Sequence, residues 1–175
     1  MDRILNPNPK GELYIPIGYY GLINKYDKNE KAIKFSIHGL GSGIALILKD
    51  TINKVFAISH ISFPDSTKSK TDYHLLFPHT FIDTSVKNLV NKLTYNGAEK
   101  ENITAIIVGG AKLFMDYDLT FQENIDAIKK ELMTLQIKIE IEELGGISER
   151  SLIYDTMTNS LFIQKTWENE FRKIC

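Results

Sequence analysis

Cysteine is almost absent from this chain: the single one, Cys175, is the last residue. One thiol cannot close an internal disulfide, so packing alone has to hold the fold, which fits a reducing compartment. Neither sign of charge is in excess, with 21 basic residues against 22 acidic ones and a net charge of −1. A nucleic-acid binder carries a clustered basic surplus, and that class is set aside. Long apolar runs are missing too. The run Ile44-Ala45-Leu46-Ile47-Leu48 has the length of a buried strand, far short of the roughly 20 residues that span a bilayer. No membrane insertion is expected. The opening Met1-Asp2-Arg3-Ile4-Leu5-Asn6-Pro7 has no apolar stretch of the secretory kind, so the expected location is the cytoplasm. Internal repeats and low-complexity tracts are absent as well.

What is present suits one compact domain. The 175 residues are 43% hydrophobic and 10% aromatic, enough to bury a substantial core. Residues 1–14 read as a flexible arm, 15–166 as the domain, and 167–175 as a tail. Within the tail, Trp167, Phe171 and Ile174 stand at i, i+4 and i+7 and suggest a short docking helix. Apolar and β-branched runs at 12–17, 31–37, 44–49 and 54–61 predict strands. The stretch 64–72 is polar and predicts an exposed loop.

Two helices follow from periodicity. Over 84–95, Val86, Leu89, Val90 and Leu93 recur at helical spacing, with Gly97 placed to end the helix. The second opens on Thr120-Phe121-Gln122-Glu123, a capping-box pattern, and continues through Ile125, Ile128, Leu132 and Leu135. Between them, 103–108 has the composition of a strand buried on both faces. Ile137, Ile139 and Ile141 alternate with charged residues, as a half-exposed strand requires. Residues 151–155 and 161–165 form the arms of a closing hairpin. The sum is a mixed α/β chain, strand-rich at first and with two main helices.

Two stretches carry chemical interest. In Gly39-Leu40-Gly41-Ser42-Gly43, three glycines in five residues let a backbone approach a ligand and expose its N–H groups. A tight turn is the plainer reading, and the spacing does not fit a Walker phosphate loop. In Ile58-Ser59-His60-Ile61-Ser62-Phe63-Pro64-Asp65-Ser66, a histidine closes an apolar run. Such a histidine is either structural or a base. His38 and His60, with His74 or His79, offer imidazoles for zinc, but no carboxylate or thiol spacing supports a site. No metal and no cofactor is expected.

Taken in order, these pieces resemble the CheD family, the chemoreceptor glutamine deamidases of chemotaxis. The pattern is Gly-Leu-Gly-Ser followed by an apolar run at 39–48, then His60-x3-Pro64-Asp65-Ser66 and Asp83-Thr84-x-Val86-x2-Leu89-Val90. It continues through Val108-Gly109-Gly110-Ala111-x2-Phe114, Asn124 and Gly145-Gly146-x3-Arg150. The resemblance runs from about residue 15 to 165 and implies an α+β fold, a single layered domain with a mixed β-sandwich and helices packed outside. It also implies a cysteine after the Gly-Ser turn that attacks a glutamine side-chain amide, with a histidine on the next strand as its base. Carried over, the base is His60, and Gly41 and Ser42 form the turn. The nucleophile position is Gly43, which has no thiol. The family's threonine, several residues earlier, is matched by Ile37 or His38. The resemblance further implies methyl-accepting chemoreceptors and a CheC-type phosphatase as partners, with Gly41, Gly109, Gly110 and Phe114 as candidate contacts. A non-catalytic binding member is the expectation. The alternative is an active deamidase that uses another group, Ser42 or Cys175, or one whose natural cysteine has been replaced in this sequence.

Overall fold

A computed structural model describes residues 5–69, 73–113 and 119–175, with the backbone alone at 73 and 74. Among these residues ten strands form two five-stranded sheets. The outer sheet runs in the order β1 (Glu12–Tyr14), β3 (Lys34–Leu40), β8 (Arg150–Asp155), β9 (Ser160–Lys165) and β10 (Arg172–Lys173). The central sheet runs β2 (Tyr20–Asn24), β5 (Val55–Ile61), β4 (Ile44–Asp50), β6 (Thr104–Gly109) and β7 (Lys138–Leu144). A four-residue helix α1 (Tyr73–Leu76) precedes the two long ones, α2 (Ile82–Tyr95) and α3 (Thr120–Thr134). β6 and β7 are parallel, and α3 supplies the crossover that such a pair needs.

Strand alternation sorts the central sheet's side chains into two cores. Ile44, Leu46 and Leu48 of β4 pack with Val86, Leu89, Leu93, Ile128 and Leu132 of the helices. Ala45 and Ile47 pack the other way, with Phe35, Ile37, Leu152 and Tyr154 of the outer sheet. β4 and β5 are therefore buried along their whole length, which explains their continuous apolar runs. The result is the expected layered fold: two sheets face to face, with α2 and α3 on the free side of one.

Several expectations need correction. The tail does not form a helix: Arg172 and Lys173 pair with Ile163 and Phe162 of β9, and the Ile174 N–H reaches the Leu161 carbonyl at 2.8 Å. Nine residues are too few for a stable isolated helix, while the edge of β9 offers backbone partners. The arm is partly ordered, since Glu12–Tyr14 pairs in parallel with β3 and Leu5 packs on the intersheet core. The strand expected at 31–37 lies at 34–40. The strand β2, Tyr-Gly-Leu-Ile-Asn, was not foreseen, because its glycine and flanking turn residues hide its alternation. α3 has no capping box: Leu119 is the N-cap, without a side-chain bond. Thr120 already lies inside the helix, and Glu123 points to Lys68 at 3.8 Å. Of the loop expected at 64–72, residues 70–72 lie outside the described residues, and 64–69 are not wholly exposed. Ser66 is buried and holds Asp83 of α2 through its hydroxyl at 2.6 Å and its N–H at 3.0 Å. Gly97, with φ +98°, does close α2 as expected.

Candidate functional site

The turn 41–43 carries the chain from the outer sheet to the central one, linking β3 to β4. Register then brings the singled-out residues together. Ala45 lies opposite His60 across β4 and β5, and Ile44 lies opposite Gly109 across β4 and β6. The turn, His60 and the residues after β6 thus meet at one end of the central sheet. The Gly110 N–H donates to the Gly43 carbonyl at 2.8 Å, and the Ala111 N–H to the Gly41 carbonyl at 2.9 Å. Phe114, the remaining candidate contact, lies outside the described residues.

The glycines here are steric necessities. Gly109 has φ +124°, and a Cβ on it would run into the Gly43 carbonyl. At Gly43 itself, a Cβ would stand 2.5 Å from the Ile61 carbonyl oxygen. Real side chains do not tolerate that approach to backbone. Position 43 therefore lacks both a thiol and the room for one, because the end of β5 lies against the turn.

His60 faces the intersheet core with Phe56 and Ile58, and is 4% exposed. Its Nδ1 lies 3.3 Å from the Ile15 carbonyl. A carbonyl can only accept, so Nδ1 carries the proton and Nε2 the lone pair. Burial pushes the ring's pKa down to about 4, against a smaller upward pull from the Ile15 bond. At neutral pH the ring is uncharged, with a free lone pair. A base so weak is badly matched to proton transfer near pH 7, however. No hydrogen bond joins it to Ser42 among the described residues.

The substitute groups fare no better. Ser42 is half-buried, and among the described residues its hydroxyl has no hydrogen-bonded base to activate it. Cys175 sits beside the Asn159 carbonyl, its Sγ 3.9 Å away, and Asn159 also receives Lys49 from the end of β4. That is the opposite end of β4 from the turn, about 20 Å away at the usual rise per strand residue. Ile37 is buried in the intersheet core, and His38 stacks on Tyr14 at 5.6 Å on the outside. Neither supplies a hydroxyl where the family's threonine would stand. His38, His60 and His79 do not converge: His79 packs on Tyr20 and bonds Ser85 at 3.0 Å, on the helical side. The side chain of His74 is outside the described set. Among the described residues no group of three His, Cys, Asp or Glu could hold a metal.

Two residues noted in the pattern, but given no role from sequence, hold this end together. Asn124 of α3 is fully buried, and its amide nitrogen donates to the Ser42 and Ser62 carbonyls, each at 2.9 Å. Arg150 is 4% exposed and donates to the carbonyls of Glu143, at 2.8 Å, and Gly145. Burial lowers its pKa, with Glu143 opposing. It pins the Gly145-Gly146 turn, whose backbone in turn bonds Gly109 and Lys112 at 2.9 Å. A sequence signal existed for Asn124: it precedes Ile128 and Leu132 by four and eight residues, so it sits on the helix's apolar face. A cleft of about 470 Å³ opens beside this point between Phe63, Phe81, Thr120 and Glu123, and is lined by neither His60 nor the turn.

Fold and frame together define a class: a two-sheet sandwich with one helical layer, in which a glycine turn and a buried histidine meet at one end of the central sheet. Comparison with known proteins then names the family. The family described as CheD chemotactic sensory transduction matches residues 63–165. The chain is 38% identical over 133 residues to the chemoreceptor glutamine deamidase CheD of Thermotoga maritima, covering 75% of this chain and 82% of that protein. It is 34% identical over 131 residues to the probable chemoreceptor glutamine deamidase CheD of Clostridium botulinum strain Eklund 17B, covering 72% of this chain and 79% of that protein. The counterpart in strain Hall is 35% identical over the same length, with the same coverage. The chain belongs to the CheD family. The family match begins at residue 63, so the turn and His60 precede it. No described helix is long and apolar enough to cross a membrane.

Proposed function

We propose that this chain is a cytoplasmic CheD-type chemotaxis protein that binds chemoreceptors, a CheC-type phosphatase, or both, without deamidating glutamine. The observation that carries this reading is position 43. Deamidation by the route the resemblance implies needs a thiolate to add to the amide carbonyl, expel ammonia and leave a thioester for water. Glycine offers no atom for that bond, and the Ile61 carbonyl lies where a side chain would begin. In a well-studied protease, loss of the nucleophile costs on the order of 10⁶ in turnover. Binding, in contrast, needs shape and surface and no thiol.

Titration calorimetry with a chemoreceptor signalling fragment, and separately with a CheC-type phosphatase, tests this. A saturable complex with at least one of them is expected at micromolar concentration. No heat and no co-elution with either partner would contradict the binding role.

A further inference from the structure

Asn124 is a polar residue on an apolar helix face, fully buried. Its amide nitrogen gives one hydrogen to the Ser42 carbonyl and one to the Ser62 carbonyl. Ser42 directly precedes the nucleophile position, and Ser62 follows His60 by two residues. One side chain from the helical layer therefore bridges the two halves of the site. Its orientation is fixed by chemistry: both neighbours are carbonyl oxygens, so the nitrogen must face them. The cost shows in its Oδ1, which is buried with no donor. Few other side chains could replace it. Aspartate would set further oxygens against the two carbonyls, serine has one hydrogen to give, and leucine none.

We infer that Asn124 is a positioning residue of this site: it ties the 41–43 turn to the end of β5 just past His60, so that without it this strand end frays and water reaches the ring from the open end of the intersheet core. The inference rests on the frame alone and not on any partner, so it stands or falls separately from the binding role.

The test is an NMR titration of the His60 ring, assigned with His60→Gln, in the parent chain and in Asn124→Ala and Asn124→Ser. Amide exchange is followed in parallel. The parent ring should titrate at about 4. In Asn124→Ala the midpoint should climb by about one unit or more toward the ordinary value, as water reaches the ring. The Gly110 amide, bonded to Gly43, should exchange about tenfold faster while core amides of β6 keep their protection. Asn124→Ser should fall between, and it carries the test if the alanine variant does not fold. An unchanged His60 midpoint in a folded variant overturns the inference. So does a uniform rise in exchange across the molecule, which would mark Asn124 as a general stabiliser.

Discussion

The two ends of strand β4 treat buried polarity in opposite ways. At its far end, Lys49 is 3% exposed, yet its Nζ reaches Glu140 at 2.7 Å and Asn159 at 3.1 Å. Asp50 is fully buried and accepts from the N–H groups of Ile52, Asn53 and Glu99 and from the Asn53 amide. At the near end, the Oδ1 of Asn124 and the Nε of Arg150 have no partner. His60 keeps one long contact, and glycine fills a place with no room for anything else. The far end is built for stability. The near end keeps costly arrangements that leave buried polar atoms without a partner.

Substituting at the far end should cost most. Asp50→Ala would leave several donors unmatched, and a loss of about 3 to 4 kcal/mol is expected in urea unfolding. Asp50 also makes stability depend on acid. Burial alone would raise its pKa, but the bonds from Asn53, Glu99 and Ile52 outweigh that and hold it below the usual value. Its contribution is therefore complete above the unfolded carboxylate range and is lost as pH falls below it. A variant as stable as the parent would break the contrast.

At the near end, the sign comes from a buried neutral base. The folded pKa of His60, about 4, lies below its ordinary 6.5, so between those values the unfolded chain binds the extra proton. Stability is full above the upper value and falls through that window by up to about 3 kcal/mol. His60→Gln should flatten the window, and unfolding midpoints measured across it would show whether it does.

Gly43→Cys is the next smaller effect. Its Cβ meets the Ile61 carbonyl, and overpacking of this kind costs about 2 kcal/mol. The variant should unfold at lower urea and remain inactive on glutamine. A Gly43→Cys protein as stable as the parent and able to deamidate would show that position 43 accepts a side chain. Smallest of all is Cys175→Ser, where the exposed thiol makes a long bond to the Asn159 carbonyl. A change below about 0.5 kcal/mol is expected, with no change in partner binding.

Sequence reading served the far end and the core better than the site. Strands β4 and β5 were legible because both faces are apolar, and α2 because its stripe of Val86, Leu89, Val90 and Leu93 faces the sheet. The turn, His60 and the glycines after β6 were legible as a group only through the family pattern. β2 was hidden by its glycine, and β10 by residues that also suit a helix, since backbone pairing at a sheet edge leaves little trace in side-chain spacing. The closure over Gly43 could not be read at all. It depends on where the Ile61 carbonyl sits, and that is set by pairing between strands far apart in sequence. Asn124 was visible as a polar interruption of an apolar stripe, but its two acceptors come from loops 82 and 62 residues away.

Intact-mass measurement of a chemoreceptor signalling fragment, after prolonged incubation with this protein, tests the central claim most directly. Each deamidated glutamine adds ~1 Da, the change from amide to acid. No gain above a protein-free control is expected. A robust gain that disappears with His60→Ala would contradict the account, since catalysis would then proceed at a site where position 43 can form no bond.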